Sequence, residues 1–341
     1  MIECVDVLAA PERLREGLWF VVADFAGQVR AWRFAKTASA DPAILTGSTW
    51  QGPPADSWAS SMSQDDYELA VRQVQQRITV GEIAQVNVCR VLSAGLPRDP
   101  MHGLEPDAAA LAATLATGNP APYAGAIHVP GGIDGVESVW VVTASPESYL
   151  SLSKGSITSS PMKGTARTPE GLTAKDRTEN MLVTDAVREE VALICEPGTT
   201  QVKDPLRVEQ HPGLVQLVSV VGGRLRPEVA EAPDLWRQLL SATFPPGSVA
   251  GVPKPEALAL IDAVESAPRG PYCGAIGWVD GDAGMAELAV GIRTFWWADD
   301  VLRFGTGAGI TAGSDPAAEW AETELKAARL IALASKQGAM A

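Results

Sequence analysis

Apolar residues recur every three or four positions in several stretches of this chain and every second position in others. The two periods separate helices from strands. From Asp65 to Val80, the residues Tyr67, Ala70, Val71, Val74 and Ile78 mark one helix face. Ser63, with Asp66 three residues on, is a variant of the capping box that starts such a helix. Asp176 to Ile194 repeats the pattern with Val183, Val187 and Val191, and Pro197-Gly198 stops it. A short Ala/Leu-rich helix is expected over Asp107–Thr117, and another over Pro255–Ala267 with proline at its entry. Ser314 is expected to cap a last helix running to about Gln337.

Strand patterns cover Leu18–Val22, Ala84–Leu92, Glu137–Thr143, Ser148–Leu152, Tyr272–Val279, Met285–Trp297 and Val301–Phe304. Residues 214–221 fit a strand or a buried helix, because a continuous apolar run has no telling period. Residues 47–64 read as a loop, and Gly305–Gly313 as a glycine turn. Several strands follow one another without intervening helices. That favours an α+β fold with antiparallel sheet over repeated βαβ units.

Composition narrows the function. The 341 residues suffice for about two ordinary domains or one large one. At 46% hydrophobic and 20% charged residues the chain is globular, not disordered. A formal charge of −14 disfavours binding to duplex nucleic acid, which needs a basic footprint. It leaves room for a small anionic substrate in a locally positive pocket. Cys4, Cys89, Cys195 and Cys273 form no CxxC pair and read as free thiols of a reducing compartment. The first residues carry acids where a signal peptide carries bases, and no apolar run reaches 18 residues. The expectation is a cytoplasmic protein with no membrane or nucleic-acid partner.

The common nucleotide, zinc-protease and serine-hydrolase motifs are absent, and the only histidines are His102, His128 and His211. Chemistry therefore falls to carboxylates and lysines. Glu319, Glu322 and Lys326 stand at i, i+3 and i+7 on one face of the last helix, whose other side carries Ala321, Leu325, Ala328 and Ile331. Asp176 and Glu179 repeat the i, i+3 spacing on the middle helix. Such acids are either a solvated stripe or ligands of a hard cation such as Mg²⁺. Lys163, in Ser-Pro-Met-Lys-Gly-Thr, is either a surface lysine or a desolvated amine able to act as a nucleophile.

These pieces occur in order in one family. The blocks SQDDYELAVRQVQQRITVGEIAQVNVCRVLSA (63–94), SPESYL (145–150), SPMKGTAR (160–167), DRTENMLVTDAVREEV (176–191), EPGTTQV (196–202), HPGLVQLVS (211–219), FPPGSVAGVPK (244–254), RGPYCGAIGW (269–278), ELAVGIRT (287–294) and GAGITAGSDPAAEWAETELKAARL (307–330) resemble those of the chorismate-utilising enzymes. The resemblance covers about residues 60–335. It implies one large α+β domain, a two-sheet antiparallel β-sandwich flanked by helices. Residues 1–55 would pack as an N-terminal segment on a chorismate-binding catalytic domain of residues 56–338. Aminodeoxychorismate synthases, which make the precursor of p-aminobenzoate and folate, carry lysine in the P-x-K-G-T block, where anthranilate synthases carry alanine. Lys163 therefore makes the resemblance closest to the branch that aminates chorismate at C4. Gln85 stands where the isochorismate and salicylate branches carry a water-activating lysine.

By the same resemblance, Lys163 would attack C2 of chorismate and Glu147 would protonate the departing C4 hydroxyl. Glu179 and Glu322 would hold Mg²⁺ directly, with Asp176 and Glu319 in support. Tyr272, Arg293, Lys326, Gln216, Thr165 and the turn Gly307-Ala308-Gly309 would bind substrate, the turn through backbone N–H groups leading into a helix N-terminus. Ammonia would come from a separate class I glutaminase subunit. Three positions depart from the family pattern: Gln216 replaces a histidine, Glu189-Glu190 replaces Asn-Asp, and Ala250 replaces a threonine. An anthranilate synthase-like enzyme and a degenerate chorismate-binding subunit without turnover stay open as alternatives at this stage.

Overall fold

The computed structural model describes residues 2–37, 49–211 and 214–335. In chain order the strands begin with β1 (Ile2–Asp6), β2 (Leu18–Ala23), β3 (Val29–Phe34), β4 (Ala59–Ser60), β5 (Gln85–Gly95), β6 (Tyr123–Val129), β7 (Val139–Ser145) and β8 (Ser148–Ser153). They continue with β9 (Ser156–Ser159), β10 (Met162–Ala166), β11 (Gln201–His211), β12 (Leu214–Arg224), β13 (Gly251–Val252), β14 (Ala275–Asp280), β15 (Met285–Val290), β16 (Thr294–Ala298) and β17 (Val301–Ile310). The helices are α1 (Gln64–Thr79), α2 (Ala108–Gly118), α3 (Ala174–Ala192), α4 (Pro227–Ala230), α5 (Leu235–Thr243), α6 (Lys254–Val264) and α7 (Pro316–Ala334).

By its contacts the chain divides into two compact units. The first comprises Met1–Ala35, Glu147–Lys254 and Cys273–Val290; the second comprises Lys36–Pro146, Pro255–Tyr272 and Gly291–Ala341. In the first unit the strand order is β1-β3-β2-β14-β15-β8-β9-β12-β10, with β11 also on β12. Every recorded pair is antiparallel. The early strands are integral to this sheet: β2 pairs with β14 from Leu18↔Asp280 to Ala23↔Ala275. Helix α3 packs on β10, β11 and β12.

In the second unit the order β5-β17-β16-β7-β6 is again antiparallel, with β4 on β5. Helix α2 packs on β6 and β7, and α7 on β17. Leu111, Leu115, Trp140, Phe295, Phe304 and Leu330 close the core between them. The expected α+β class with two antiparallel sheets is therefore the observed one.

Helix starts follow their local chemistry. Ser63 and Asp66 form the expected capping box. Thr173 caps α3, and Asp176, the third residue of the helix, closes a second capping box. Residues 214–221 are strand, because they pair with β11 on one side and with β9 and β10 on the other.

Three expectations need correction. The single strand over Met285–Trp297 is two, β15 and β16, one in each sheet. The break falls at Gly291–Arg293, where Arg293 takes φ +51°. The glycine turn over Gly305–Gly313 is mostly strand: β17 runs to Ile310, with Gly307 opposite Cys89 and Gly309 opposite Asn87. Glycine at 305 serves close approach, since an added Cβ would collide with the Tyr272 ring. Asp315, not Ser314, caps α7, accepting from the Ala318 N–H, while the Ser314 hydroxyl accepts from Thr311 N–H. On α7 the inward face is Glu319, Thr323, Ala327 and Leu330, whereas Leu325 is 75% exposed. The expected end near Gln337 and part of the 47–64 loop lie outside the described residues.

Candidate active site

In the first unit the register of β10 against β12 passes from Met162↔Val218 to Thr165↔Gln216. Two residues, Lys163 and Gly164, thus stand opposite the single residue Leu217. This is a β-bulge, a device that re-aims a side chain and loosens the ladder locally. Gly164 takes φ +86°, and a Cβ there would lie 2.7 Å from Asp176 Cβ. Glycine next to Lys163 is thus what lets the start of α3 approach the bulge.

Asn180 fastens the other side. It is 1% exposed, donates to the Leu217 carbonyl at 3.0 Å, and accepts from Ser219 Oγ at 2.5 Å. Sequence reading passed over Asn180. Its signal was there: it lies four residues after Asp176 and three before Val183, on the inward face of α3.

Glu147 stands between β7 and β8 and is buried. Its Oε1 accepts from the Met162 N–H at 3.3 Å, and its carbonyl from the Val290 N–H at 2.9 Å. The carboxyl is therefore tied to the residue just before Lys163. A cavity of about 10 Å³, near the size of one water, borders both Glu147 and Glu190. Glu190 pairs with Lys254 at 2.9 Å. Burial pushes the Glu190 carboxyl up against the pull of Lys254, and burial pushes the Lys254 amine down against the pull of Glu190. Lys254 also donates to the Thr243 carbonyl at 2.9 Å, and the Thr243 hydroxyl lies 2.6 Å from Tyr149 OH.

Two further predicted residues in this unit hold acceptors in want of a donor. Gln216 donates through Nε2 to Thr165 Oγ1 at 3.4 Å, while its buried Oε1 has no hydrogen-bond partner among the described residues. Glu179 Oε1 is likewise buried without a hydrogen bond, 3.6 Å from Lys175 Nζ. Such groups are costly to bury unless something fills them. Asp176 accepts from the Thr173 N–H and hydroxyl at 2.8 and 2.6 Å.

In the second unit Tyr272 is buried, its OH 4.0 Å from Cys89 Sγ. Arg293 is half-buried; burial lowers its guanidinium, with no nearby acid offsetting this. Lys326 binds Glu322 at 2.7 Å and donates to the Gly307 carbonyl at 3.0 Å. Glu319 is buried on the same helix. Gly307, Ala308 and Gly309 lie in β17 rather than in a turn entering a helix, so the predicted N-terminal anion cradle is not formed by that geometry.

Glu179, whose Oε1 accepts no hydrogen bond among the described residues and has only Lys175 at 3.6 Å recorded against it, is the oxygen ligand in this unit that would suit a hard cation. Among the described residues, no three His, Cys, Asp or Glu side chains are already gathered as a metal site. No helix among them is long and apolar enough to cross a membrane.

A lysine in a β-bulge and a buried carboxyl tied to the residue before it stand on an α+β framework of two antiparallel sheets. The comparisons give the family. Residues 28–332 match the model of the chorismate binding enzyme family, and the chain belongs to that family. It is 31% identical over 313 residues to aminodeoxychorismate synthase component 1 of Klebsiella aerogenes, covering 88% of this chain and 63% of the relative. It is 30% identical over 337 residues to an anthranilate synthase component 1 of Haloarcula marismortui, covering 91% and 63%. The chain thus spans somewhat less than two thirds of the length of these relatives. The structure of the menaquinone-specific isochorismate synthase of Escherichia coli superposes with a TM-score of 0.74 at 20% identity, over 95% of this chain and 80% of that one, which establishes the shared fold.

Proposed function

We propose that this chain is the chorismate-aminating component of an aminodeoxychorismate synthase, converting chorismate and ammonia to 4-amino-4-deoxychorismate and water. The observation that carries the reading is Lys163 set in a bulge, next to Met162, whose N–H donates to the buried Glu147 carboxyl. The Lys163 amine, acting as the free base, forms a bond to C2 of the ring as both conjugated ring double bonds shift toward C4 and the C4–O bond breaks. Glu147 gives its proton to the departing hydroxyl, which leaves as water. Ammonia then bonds to C4, both double bonds shift back, and the C2–N bond breaks to free Lys163. The proton shed by the new C4 ammonium returns to Glu147. Two easier displacements replace one hard one.

Arg293, a desolvated guanidinium, is assigned to a substrate carboxylate, with Lys326, Tyr272, Gln216, Thr165 and the Gly307–Gly309 strand lining the substrate. Mg²⁺ would neutralise the ring carboxylate; the family resemblance makes Glu179, with Asp176, its candidate ligand in the first unit and Glu322, with Glu319, its candidate in the second. The ammonia source is a separate glutaminase subunit.

The test is mass spectrometry of products from chorismate, Mg²⁺ and excess ammonium. Aminodeoxychorismate is expected, and Lys163→Ala is expected to lose it by several orders of magnitude. Anthranilate or isochorismate as the product would overturn the reading, as would full activity in the variant.

A further inference from the structure

At the end of β8 and β15 remote from Glu147, about 16 Å along the strands, the first unit holds a second pocket of about 140 Å³. Its walls are Leu14, Leu152, Leu225, Leu235, Trp236 and Val279, all buried. Met285, 40% exposed, stands at its mouth with Arg15 and Asp280. The pocket opens to solvent at that mouth, while six buried apolar side chains line its inner part. A Leu/Ile/Phe-lined cavity of about 150 Å³ takes up benzene in another protein, so the volume suits one six-membered ring.

The charges at the mouth choose the rest of the ligand. The Arg15 guanidinium donates to the Ala230 carbonyl at 2.7 Å and has no recorded acid beside it among the described residues, which leaves N–H donors over. Asp280 is turned to its own hairpin, accepting from the Ala283 N–H at 3.0 Å.

We propose that this pocket binds a small molecule of one six-membered ring bearing one carboxylate, with the ring between Leu152 and Trp236 and the carboxylate on Arg15. The site stands apart from Lys163 and Glu147, and the proposal does not depend on what reaction they perform.

Benzoate, toluene and benzylamine are the probes, and the readout is the indole N–H resonance of Trp236, assigned through Trp236→Phe. Benzoate and toluene are expected to shift it, and benzylamine to bind more weakly than benzoate. Arg15→Met is expected to weaken benzoate by about tenfold or more, the scale of a lost charge-assisted bond, while leaving toluene unchanged. Leu152→Phe fills the void and is expected to abolish both; Met285→Trp at the exposed mouth serves if that variant fails to fold. No shift at Trp236 with either ring would overturn the proposal. So would benzoate binding that survives the filling variant, or benzylamine binding as tightly as benzoate.

Discussion

A methyl group added at Gly164 would meet Asp176 Cβ at 2.7 Å, on a backbone already at φ +86°. Both terms act against the same substitution, one through strain and one through the collision with α3. Gly164→Ala is expected to cost about 1–3 kcal/mol from the left-handed backbone alone. Because relief of the clash moves either α3 or the bulge, amination should fall more steeply than stability does. Urea unfolding and initial rates on the same preparation check this. A variant with normal turnover would show that the bulge does not set the position of Lys163. Glycine in the K-G-T block is therefore explained by packing, whereas the adjacent lysine has its explanation only in the proposed reaction. The orphan Oε1 of Gln216 belongs to the same scale. It can accept a hydrogen bond but cannot titrate near neutral pH, so this position adds no ionisation to the pH profile.

Between elements, the pair Glu190–Lys254 links α3 to the segment entering α6. Burial disfavours both charges, and their mutual attraction opposes that, with the Thr243 carbonyl also accepting from Lys254. Removing one partner leaves the other half-buried without its counter-charge, so Lys254→Met alone is expected to cost about 1–3 kcal/mol. Glu190→Gln combined with Lys254→Met should recover most of it. The pH dependence has a definite sign. In Lys254→Met the carboxyl keeps its burial and loses its cation, so its folded pKa rises further above the unfolded value. Between those two values the native state binds more protons than the unfolded chain. Stability of the variant therefore falls as pH rises through that window and recovers on acidification. Denaturation midpoints at pH 5 and pH 8 test this; a deficit equal at both would mean that the lone carboxyl does not titrate between them. Since Glu190 and Glu147 border one small cavity, the same variant should also shift the acid limb of the rate profile. The Glu189-Glu190 departure from the family pattern is thus legible as half of a buried pair, but only once Lys254 is placed beside it.

Across the whole molecule, the sequence was most readable where one face of an element is wet and the other dry. Helices α1 and α3 fall within a few residues of expectation, because their periods report a single buried face; strands β5 and β8 do so too, although buried on both faces, because their β-branched and aromatic runs are short and bounded. It was least readable where the partner is distant in sequence. The extension of β17 through three glycines depends on the β5 strand opposite and on Tyr272, neither of which lies near it in the chain. The split of β15 from β16 depends on two sheets claiming one apolar run. The inward Glu319 and outward Leu325 of α7 invert what hydrophobicity alone suggests. Candidate site residues were nameable from motif blocks; Asn180 showed only as an inward position of α3, and Lys254 not at all, since their roles lie in what they hold. The same whole-chain view bears on the source of ammonia. Hydrolysis of glutamine by a cysteine nucleophile needs a thiol that is accessible and acidified by a histidine. Cys89, Cys195 and Cys273 are buried, burial pushes the Cys195 thiol up, away from reactivity, and the half-buried Cys4 lies in β1, where neither His102 nor His128 is bonded to it. His102 and His128 are turned to Asp99 and Glu105 at 3.1 and 2.8 Å. This chain is therefore expected to aminate chorismate with ammonium and to give no product with glutamine alone. Adding a class I glutaminase subunit should restore the glutamine reaction, and Lys163→Ala should abolish product under both conditions. Glutamine-dependent product from the isolated chain would place a glutaminase site in it that none of these thiols explains.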